Sequence, residues 1–336
     1  MKSWEIAEFG LDKLRHVDRP EPTPGLGQVA ARMRAFSLNY RDLMVIRGTY
    51  NPRLRLPFTP LSDGVGEVIA VGPGVTRVKV GQRVAGCFMQ GWIDGEVNEV
   101  KGKTALGGAI AGVASEVAVF DADGVTLIPD HLSDEEAATL PCAAVTAWHA
   151  LVVEGCVKAG DAVLIQGTGG ESLFALQVAK MHGARVLATT SSDAKASRLR
   201  DLGAEACVNY KDVPEWGDKI REAAGGSGVD HVVEVGGAGT LGQSFRAVRM
   251  GGRIHLIGVL AAGNASQVNP VPVLMKNLRM QGIFVGSRAM FESMNRAIRV
   301  HGMRPIVDRV FGFAELPAAL AHLESGKHFG KVCVKV

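Results

Sequence analysis

The sequence has few of the features that stabilise secreted or membrane proteins. Its 336 residues include only five cysteines, widely spaced and without a C-x-x-C pair, which argues against disulfides and against a four-cysteine zinc lobe. No stretch of about 18 uninterrupted apolar residues is present, so no membrane-spanning helix is predicted. The first residues also lack the apolar segment of a signal peptide. We therefore expect a cytoplasmic protein with reduced thiols and no membrane partner.

A large excess of one charge is also missing. The chain has 37 basic and 34 acidic residues, a net charge of +3, and no basic run interleaved with aromatic residues. Nucleic acid is therefore not an expected partner. Hydrophobic residues make up 47% of the chain and charged residues 21%, as in ordinary globular proteins. Because 336 residues exceed the usual size of one hydrophobic core, we expect two domains.

The first part of the chain is rich in short β-type runs. Runs such as 28–34 and 66–72 are broken by glycine and proline, which predicts a compact, barrel-like β unit. After residue 286 the pattern gives two helices and two strands, too few for a domain of their own. We therefore predict one β-rich domain made of residues 1–125 and 287–336.

Strands alternate with helices in the middle of the chain. Ser133 and Glu136 form a capping box, which predicts the start of the first helix. The alternation that follows indicates right-handed crossovers and a parallel sheet. We predict an α/β fold with a Rossmann-type, doubly wound sheet over residues 126–286. The predicted strands are 162–166, 185–189, 206–209, 231–235, 253–257 and 280–285, and two of the predicted helices are 172–182 and 193–202.

A glycine-rich loop follows the first of these strands. It reads Gly167-Thr168-Gly169-Gly170 and opens a predicted helix. Glycines at the first and third positions allow a tight turn and the close approach of a pyrophosphate, whose charge is favoured at a helix N-terminus. Ser172 stands where the third glycine of the fingerprint is expected. A lone glycine motif could be only a structural turn, but its place in a six-strand series favours a dinucleotide site.

The end of the second strand bears on the choice of cofactor. An NAD site usually has a carboxylate there for the ribose 2′-hydroxyl. This chain has Ser191 and Ser192 followed by Lys195, which could bond to a 2′-phosphate instead. We therefore expect NADPH in preference to NADH. The alternative is that Lys195 and Arg198 form a solvated helix face and that Asp193 serves NAD.

Several further motifs agree with a known family. They are Asn39-Tyr40-Arg41-Asp42 and the segments 63–68, 140–148 and 329–331. With the glycine loop, they make nearly the whole chain resemble the zinc-independent, quinone oxidoreductase-like branch of the medium-chain dehydrogenase/reductase superfamily. The resemblance implies a GroES-like catalytic domain for the β-rich part. It also implies hydride transfer from NADPH to a quinone, an α,β-unsaturated carbonyl or a similar small acceptor.

The resemblance also bears on metal binding. Ligands of a catalytic zinc in zinc-dependent relatives would fall at Asn39, Ser62 and Cys142, of which only Cys142 binds zinc well. No zinc site is therefore expected, and Cys142 is interpreted as a small buried hydrophobe. Without a Lewis acid, acceptors that spread the arriving charge by conjugation need the least stabilisation.

The resemblance implies a set of site residues. In such proteins the equivalents of Asn39 and Tyr40 lie beside the nicotinamide and substrate, although Tyr40 could be a cleft wall with no proton role. Tyr210 could equally be only a strand end, and Gly330 only a turn. The apolar cleft walls would be Phe88, Met89, Trp92 and Met290. The full candidate set is Asn39, Tyr40 and Ser62 for catalysis, and Thr146, Gly167, Thr168, Gly169, Gly170, Glu171, Ser172, Ser191, Ser192, Lys195, Tyr210, Gly258, Phe284, Val285, Gly286, Gly330 and Lys331 for the cofactor.

Glu171 departs from the family pattern. Relatives usually have an apolar residue there, commonly valine. A carboxylate is favoured by the helix dipole, but near a pyrophosphate it adds repulsion and a desolvation cost. It could turn outward, reshape the nicotinamide pocket or reduce cofactor affinity.

Two other functions are compatible with the sequence, and one assembly state is expected. A metal-free carbonyl reductase or alcohol dehydrogenase would need a polarising hydroxyl such as that of Tyr40 or Ser62. A non-catalytic NADPH-binding protein would be consistent with Glu171. The last strand, 280–285, would end the sheet, and we expect it to pair with its copy in a homodimer, as in relatives.

Overall fold

The computed structural model describes residues 1–260 and 269–336, which form two units. Unit 1 comprises Met1–Val145 and Val285–Val336, and unit 2 comprises Thr146–Phe284. The predicted domain limits lie after residues 125 and 286, so the two divisions differ over residues 126–145 and 285–286. Strand Val125–Leu127 runs across the predicted limit at residue 125 and pairs with strand Arg83–Gly86 of unit 1. No described helix is long and apolar enough to cross a membrane.

Unit 1 is built mainly from antiparallel strands. Its strands are β1 (Lys2–Ile6), β2 (Leu14–Asp18), β3 (Gln28–Ser37), β4 (Asp63–Val71), β5 (Arg83–Gly86), β6 (Val117–Asp121), β7 (Val125–Leu127), β14 (Val307–Gly312) and β15 (Lys331–Lys335). Its helices are α1 (Tyr40–Ile46), α2 (Glu99–Gly102), α3 (Asp134–Ala138), α10 (Arg288–His301) and α11 (Leu316–Glu324). The order of the large sheet is β14-β15-β3-β4-β5-β7, with β6 also paired to β3, and β1 pairs separately with β2.

Strand β3 organises this unit. Ala31 and Met33 are buried while Arg32 and Arg34 are exposed, which is the period of two expected for a strand with one covered face. Ser37, at its end, pairs with Asp63 of β4. The same residue pairs with Cys333 of β15. This register brings the beginnings of β4 and β15 to the end of β3.

Helix α1 starts directly after that junction. Asn39 has an extended backbone at the N-cap, and its backbone N–H donates to Asp42 Oδ2 at 2.8 Å. This bond satisfies one of the amides that a helix start leaves unpaired. The predicted capping box of Ser133 and Glu136 is present at the start of α3.

Unit 2 contains a six-stranded parallel sheet. Its strands are β8 (Ala162–Gln166), β9 (Arg185–Thr190), β10 (Ala206–Asn209), β11 (Val229–Glu234), β12 (Val248–Leu256) and β13 (Arg279–Gly282). Its helices are α5 (Gly170–Met181), α6 (Asp193–Asp201), α7 (Trp216–Ala223), α8 (Leu241–Ala247) and α9 (Val271–Met275), and α4 (Val145–Trp148) lies at its beginning. The strand order is β10-β9-β8-β11-β12-β13. This is the doubly wound order of dinucleotide-binding folds, so the predicted fold class is confirmed.

The last strand is shorter than predicted. It ends at Gly282 instead of continuing to residue 285. Ile283 still donates a backbone hydrogen bond to Leu256, but Val285 has a φ of 54°, which is incompatible with a strand. The chain therefore leaves the sheet at this point.

Candidate functional site

Four side chains of unit 1 form a continuous hydrogen-bonded group, here called the polar cluster: Asn39, Ser62, Asp63 and Lys331. Lys331 Nζ donates to Asn39 Oδ1 at 2.6 Å. Asn39 Nδ2 contacts Ser62 Oγ at 3.4 Å, and Ser62 Oγ donates to Asp63 Oδ1 at 2.8 Å. The backbone N–H of Cys142 donates to Asp63 Oδ2 at 3.2 Å. The cluster thus links a cation to an anion through two neutral side chains.

The polar cluster is almost completely buried. Lys331 is 4% exposed, Asn39 is 9% exposed, and Ser62 and Asp63 are fully covered. Burial raises the pKa of Asp63, while the Lys331 charge and the hydrogen bonds from Asn39 and Ser62 oppose that rise. Burial also raises the pKa of the nearby Asp42 to about 7. These groups therefore lie in a region where charge is costly unless paired.

The structure brings several predicted site residues together here. Asn39, Ser62 and Lys331 meet in the polar cluster, whereas the Tyr40 side chain is 46% exposed. Asp63 was not predicted as a site residue, although it stands in the motif 63–68. A carboxylate at the buried start of strand β4 is the signal that the sequence offers. The cleft-wall candidates Phe88, Met89 and Trp92 are almost completely buried.

The polar cluster does not fit a catalytic zinc. Asn39 Oδ1 is held by the Lys331 ammonium group, which would repel a second cation, and the Ser62 hydroxyl is directed to Asp63. Within residues 1–260 and 269–336, no three His, Cys, Asp or Glu side chains are close enough to hold a metal ion. Ligands of the kind that zinc prefers are therefore not brought together at this point.

The glycine loop of unit 2 connects β8 to the twelve-residue helix α5. Gly167 has a φ of 75°, and a Cβ added at Gly167 or Gly169 would meet nothing within 4 Å. The backbone at these two positions is therefore open to a ligand, beside a helix N-terminus, where the first amides have no acceptor within the helix. This arrangement fits the pyrophosphate of a dinucleotide. Ser172 Oγ donates to the Gln166 carbonyl at 2.6 Å and so ties the helix to the strand.

A buried carboxylate supports the same edge of the sheet. Glu234, at the end of β11, is fully covered. Its oxygens accept hydrogen bonds from the Gly236 and Gly237 backbone amides at 2.8 and 3.0 Å, and from Gln166 Nε2 at 2.7 Å. The Thr240 hydroxyl adds a further bond of 2.5 Å. Glu234 thereby joins the ends of β8 and β11, a role that the sequence did not reveal.

The candidates for cofactor choice lie at the ends of β9 and β10. Ser192 Oγ accepts a bond from the Lys195 backbone at the start of α6, at 3.5 Å. Asp193 Oδ1 accepts a bond from Asn209 Nδ2 at 3.2 Å. Ser191, like Ser192 and Lys195, is partly exposed, whereas Arg198 is exposed. Tyr210 is 42% exposed.

Two predicted cofactor glycines have a structural explanation. A Cβ at Gly258 would lie 2.5 Å from the Val235 carbonyl oxygen, and one at Gly330 would lie 2.3 Å from the Ile306 carbonyl oxygen. Both positions therefore require glycine whether or not a ligand binds. Gly330 also has a φ of 98°.

The remaining candidates lie where the chain passes between the units. Thr146 is 4% exposed and Phe284 is 42% exposed. Gly286 is buried, and so is Val285, whose φ of 54° is strained for a β-branched residue. Such strain often marks a functional position.

Comparisons with known proteins agree with this architecture. The model of the alcohol dehydrogenase GroES-like domain matches residues 25–130, and that of the zinc-binding dehydrogenases matches residues 172–299. A zinc-type alcohol dehydrogenase-like protein of Schizosaccharomyces pombe is 40% identical over 333 residues, which are 97% of this chain and 96% of that protein.

Two solved structures are also similar over the whole chain. A crystal structure of an NAD-dependent alcohol dehydrogenase has a TM-score of 0.92 at 32% identity, with 100% of both chains covered. The quinone oxidoreductase of Coxiella burnetii has a TM-score of 0.82 at 28% identity, with 100% of this chain and 99% of that chain covered. The predicted GroES-like and Rossmann-type domains are confirmed by these matches.

Proposed function

The chain belongs to the medium-chain dehydrogenase/reductase superfamily of oxidoreductases, and we propose that it passes hydride from NADPH to a conjugated carbonyl, a quinone or a similar small acceptor without zinc. The polar cluster is the observation that carries this proposal. It offers hydrogen-bond donors, but its cation and its donor set do not suit a metal. Hydrogen-bond donors without a metal can stabilise the negative charge on an acceptor that delocalises it.

NADPH is favoured by the groups at the end of β9. Ser191, Ser192 and Lys195 can bond to a 2′-phosphate. Asp193, the acid that could serve NAD, is engaged by Asn209 on the neighbouring strand. Bound there, the cofactor would supply hydride, while the glycine loop would hold its pyrophosphate on backbone amides.

Turnover of three acceptor types tests the proposal. Purified protein should oxidise NADPH with a quinone or an enone, and much more slowly with a simple ketone. A faster reaction with the ketone, or with a secondary alcohol and NADP⁺, would favour a metal-free carbonyl reductase or alcohol dehydrogenase instead. Tight NADPH binding without turnover of any acceptor would favour a non-catalytic protein. Metal analysis should find less than stoichiometric zinc.

We also propose that the protein is a homodimer. Strand β13 is at the edge of its sheet, and all four of its residues are exposed. Leu274 and Met275 nearby are 80% and 68% exposed. An open strand edge beside apolar side chains favours pairing with a copy. Sedimentation of a monomer at micromolar concentration would contradict this proposal.

A further inference from the structure

The two ends of the Asn39 amide are held with different strength. Its oxygen lies 2.6 Å from Lys331 Nζ, which is a short, charge-assisted bond. Its nitrogen lies 3.4 Å from Ser62 Oγ, at the long end of the range for hydrogen bonds. The amide is therefore fixed through its oxygen, whereas its N–H groups have the long contact with Ser62 Oγ and the neighbouring Asp63 carboxylate as their partners.

The buried charge of Lys331 is unusual for a residue that only supports the fold. An ammonium group at 4% exposure has lost most of its hydration, which is costly. Among the described residues, Leu38 O and Asn39 Oδ1 accept its hydrogen bonds, and no carboxylate forms a direct ion pair with it. An apolar side chain of similar length would fill the same space without that cost. The charge is instead balanced at a distance by Asp63, so the Asn39 amide lies between a cation at its oxygen and an anion beyond Ser62.

We propose that Asn39 Nδ2 donates a hydrogen bond to the acceptor oxygen on which negative charge collects, and that Lys331 is the positioning residue that orients and polarises this amide. A cation at the amide oxygen draws electrons away from the nitrogen, so the N–H groups become stronger donors. Asn39 is 9% exposed, at the margin of the otherwise covered cluster. This inference rests on the proposed function.

The donor acts on the charge that hydride transfer creates. When hydride adds to the β-carbon of an enone, the C=C electron pair moves toward the carbonyl and the oxygen becomes an enolate oxyanion. The acceptor gains two electrons, the nicotinamide loses them, and a solvent proton then completes the α-carbon. A donor held in place before this charge appears lowers the barrier because it needs no reorganisation.

Nuclear magnetic resonance of protein labelled with ¹⁵N-asparagine tests the Lys331–Asn39 link without any turnover. The Asn39 side-chain signals are identified by their loss in Asn39→Asp. In Lys331→Met they should move upfield, because the nitrogen is less polarised once the charge-assisted bond to the amide oxygen is lost. Lys335→Met is the matched control on the same strand, since its side chain is 67% exposed, and it should leave the signals unchanged. Unchanged Asn39 signals in a folded Lys331→Met protein would overturn the proposal.

Kinetics with para-substituted aryl vinyl ketones test the oxyanion role. Loss of one preorganised donor should lower kcat about 100-fold in Asn39→Asp, which keeps the shape of the side chain and the contact with Lys331. Lys331→Met should lower kcat about ten-fold or more, with a larger loss for electron-rich than for electron-poor ketones. It should have no additional effect when combined with Asn39→Leu, which removes the amide without adding a charge, because both changes then remove the same donor. A purely structural role would lower kcat equally for all ketones.

The outcomes separate this inference from the proposed function. If the wild type turns over no acceptor, the proposed function fails, and the Asn39 signals still decide whether Lys331 polarises the amide. If Lys331→Met weakens NADPH binding but keeps kcat at saturating NADPH, Lys331 is a cofactor-binding residue and the inference is wrong. Should Lys331→Met fail to fold, Asn39→Asp alone decides, since retention of half the wild-type kcat would contradict a donor role.

Discussion

The candidate sites of the two units are built from different groups, buried charged side chains in unit 1 and open backbone in unit 2. In unit 1 the polar cluster places Lys331 and Asp63 out of water and joins them through Asn39 and Ser62. In unit 2 the glycine loop offers bare backbone, and the buried charge of Glu234 is used only to hold that edge together. Side-chain chemistry should therefore dominate the first region, and backbone geometry the second.

The sharpest test of this comparison is removal of the Asp63 carboxylate. Asp63→Ala would leave Lys331 buried without its balancing charge and would remove acceptors from Ser62 and Cys142. Breaking a buried charge network in this way should cost about 3–5 kcal/mol in the free energy of unfolding, measured by urea titration. Asp121→Ala, at an exposed position on β6, is the control and should change it by about 0.5 kcal/mol or less. A similar small effect of both substitutions would mean that the polar cluster does not need its anion.

The corresponding change in unit 2 is Glu234→Gln. A glutamine keeps the shape, but one of its two ends donates, so it cannot accept bonds from both backbone amides and the Gln166 and Thr240 side chains. We expect a loss of about 2–3 kcal/mol, because a buried polar group is left unsatisfied. Affinity for NADPH should fall with it, since Gln166 directly precedes the glycine loop. The exposed Glu222→Gln on α7 should change neither quantity, and intact cofactor binding in Glu234→Gln would separate this network from the loop.

The sequence was informative where structure depends on local pattern. Strands β8 to β12 and the capping box of α3 follow from apolar runs and from the Ser133–Glu136 spacing. The polar cluster could not be derived in the same way, because Lys331 and Asn39 are 292 residues apart and meet only through the register of β15 and β3. Likewise, the end of β13 depends on the positive φ of Val285, which a β-branched residue does not suggest.

The pH dependence of stability should have opposite signs in the two units. In unit 2, burial, with the neighbouring His231, lowers the pKa of His255 from 6.5 to about 3. The unfolded chain then binds the extra proton below pH 6.5, so this group should cost about 2 kcal/mol of stability on going from pH 7.5 to 5.0. In unit 1, burial raises the pKa of Asp42 from 3.8 to about 7, so stability from this group is full below pH 3.8 and is lost as the pH rises to 7.

Two substitutions separate these opposing effects. His255→Gln should remove the loss on the acid side, so its urea midpoint relative to wild type should rise as the pH falls. Asp42→Asn should remove the loss at higher pH, so its relative midpoint should rise between pH 5.0 and 7.5. If both variants keep a constant offset from the wild type across this range, neither group titrates as inferred.

The preference for NADPH over NADH should depend on Lys195, near the end of β9. Lys195→Ala should weaken NADPH binding about ten-fold relative to NADH, because a charge-assisted bond to the 2′-phosphate contributes about 1–2 kcal/mol. Arg198→Ala is the matched control, three residues further along α6 and exposed. Fluorescence titration with both cofactors provides the measurement. Equal losses of affinity for NADPH and NADH in Lys195→Ala would mean that Lys195 only belongs to a solvated helix face.

The smallest expected change in NADPH affinity is at Glu171, whose carboxylate directly follows the glycine loop. This residue lies in the first turn of α5 and is partly buried. If its carboxylate faces the pyrophosphate site, Glu171→Val should strengthen NADPH binding by about 1 kcal/mol or less, the size expected for two like charges that are partly screened. Glu171→Gln should give most of that gain, since it removes the charge but keeps the length of the side chain. If the carboxylate faces solvent, Glu171→Val should leave affinity unchanged and cost only a few tenths of a kcal/mol in stability, from the lost helix-dipole interaction.

Titration of NADPH at 20 mM and 500 mM salt distinguishes the two orientations, because the gain from a repulsive pair should shrink as salt screens it. Identical affinities for wild type, Glu171→Val and Glu171→Gln at low salt would exclude the inward orientation.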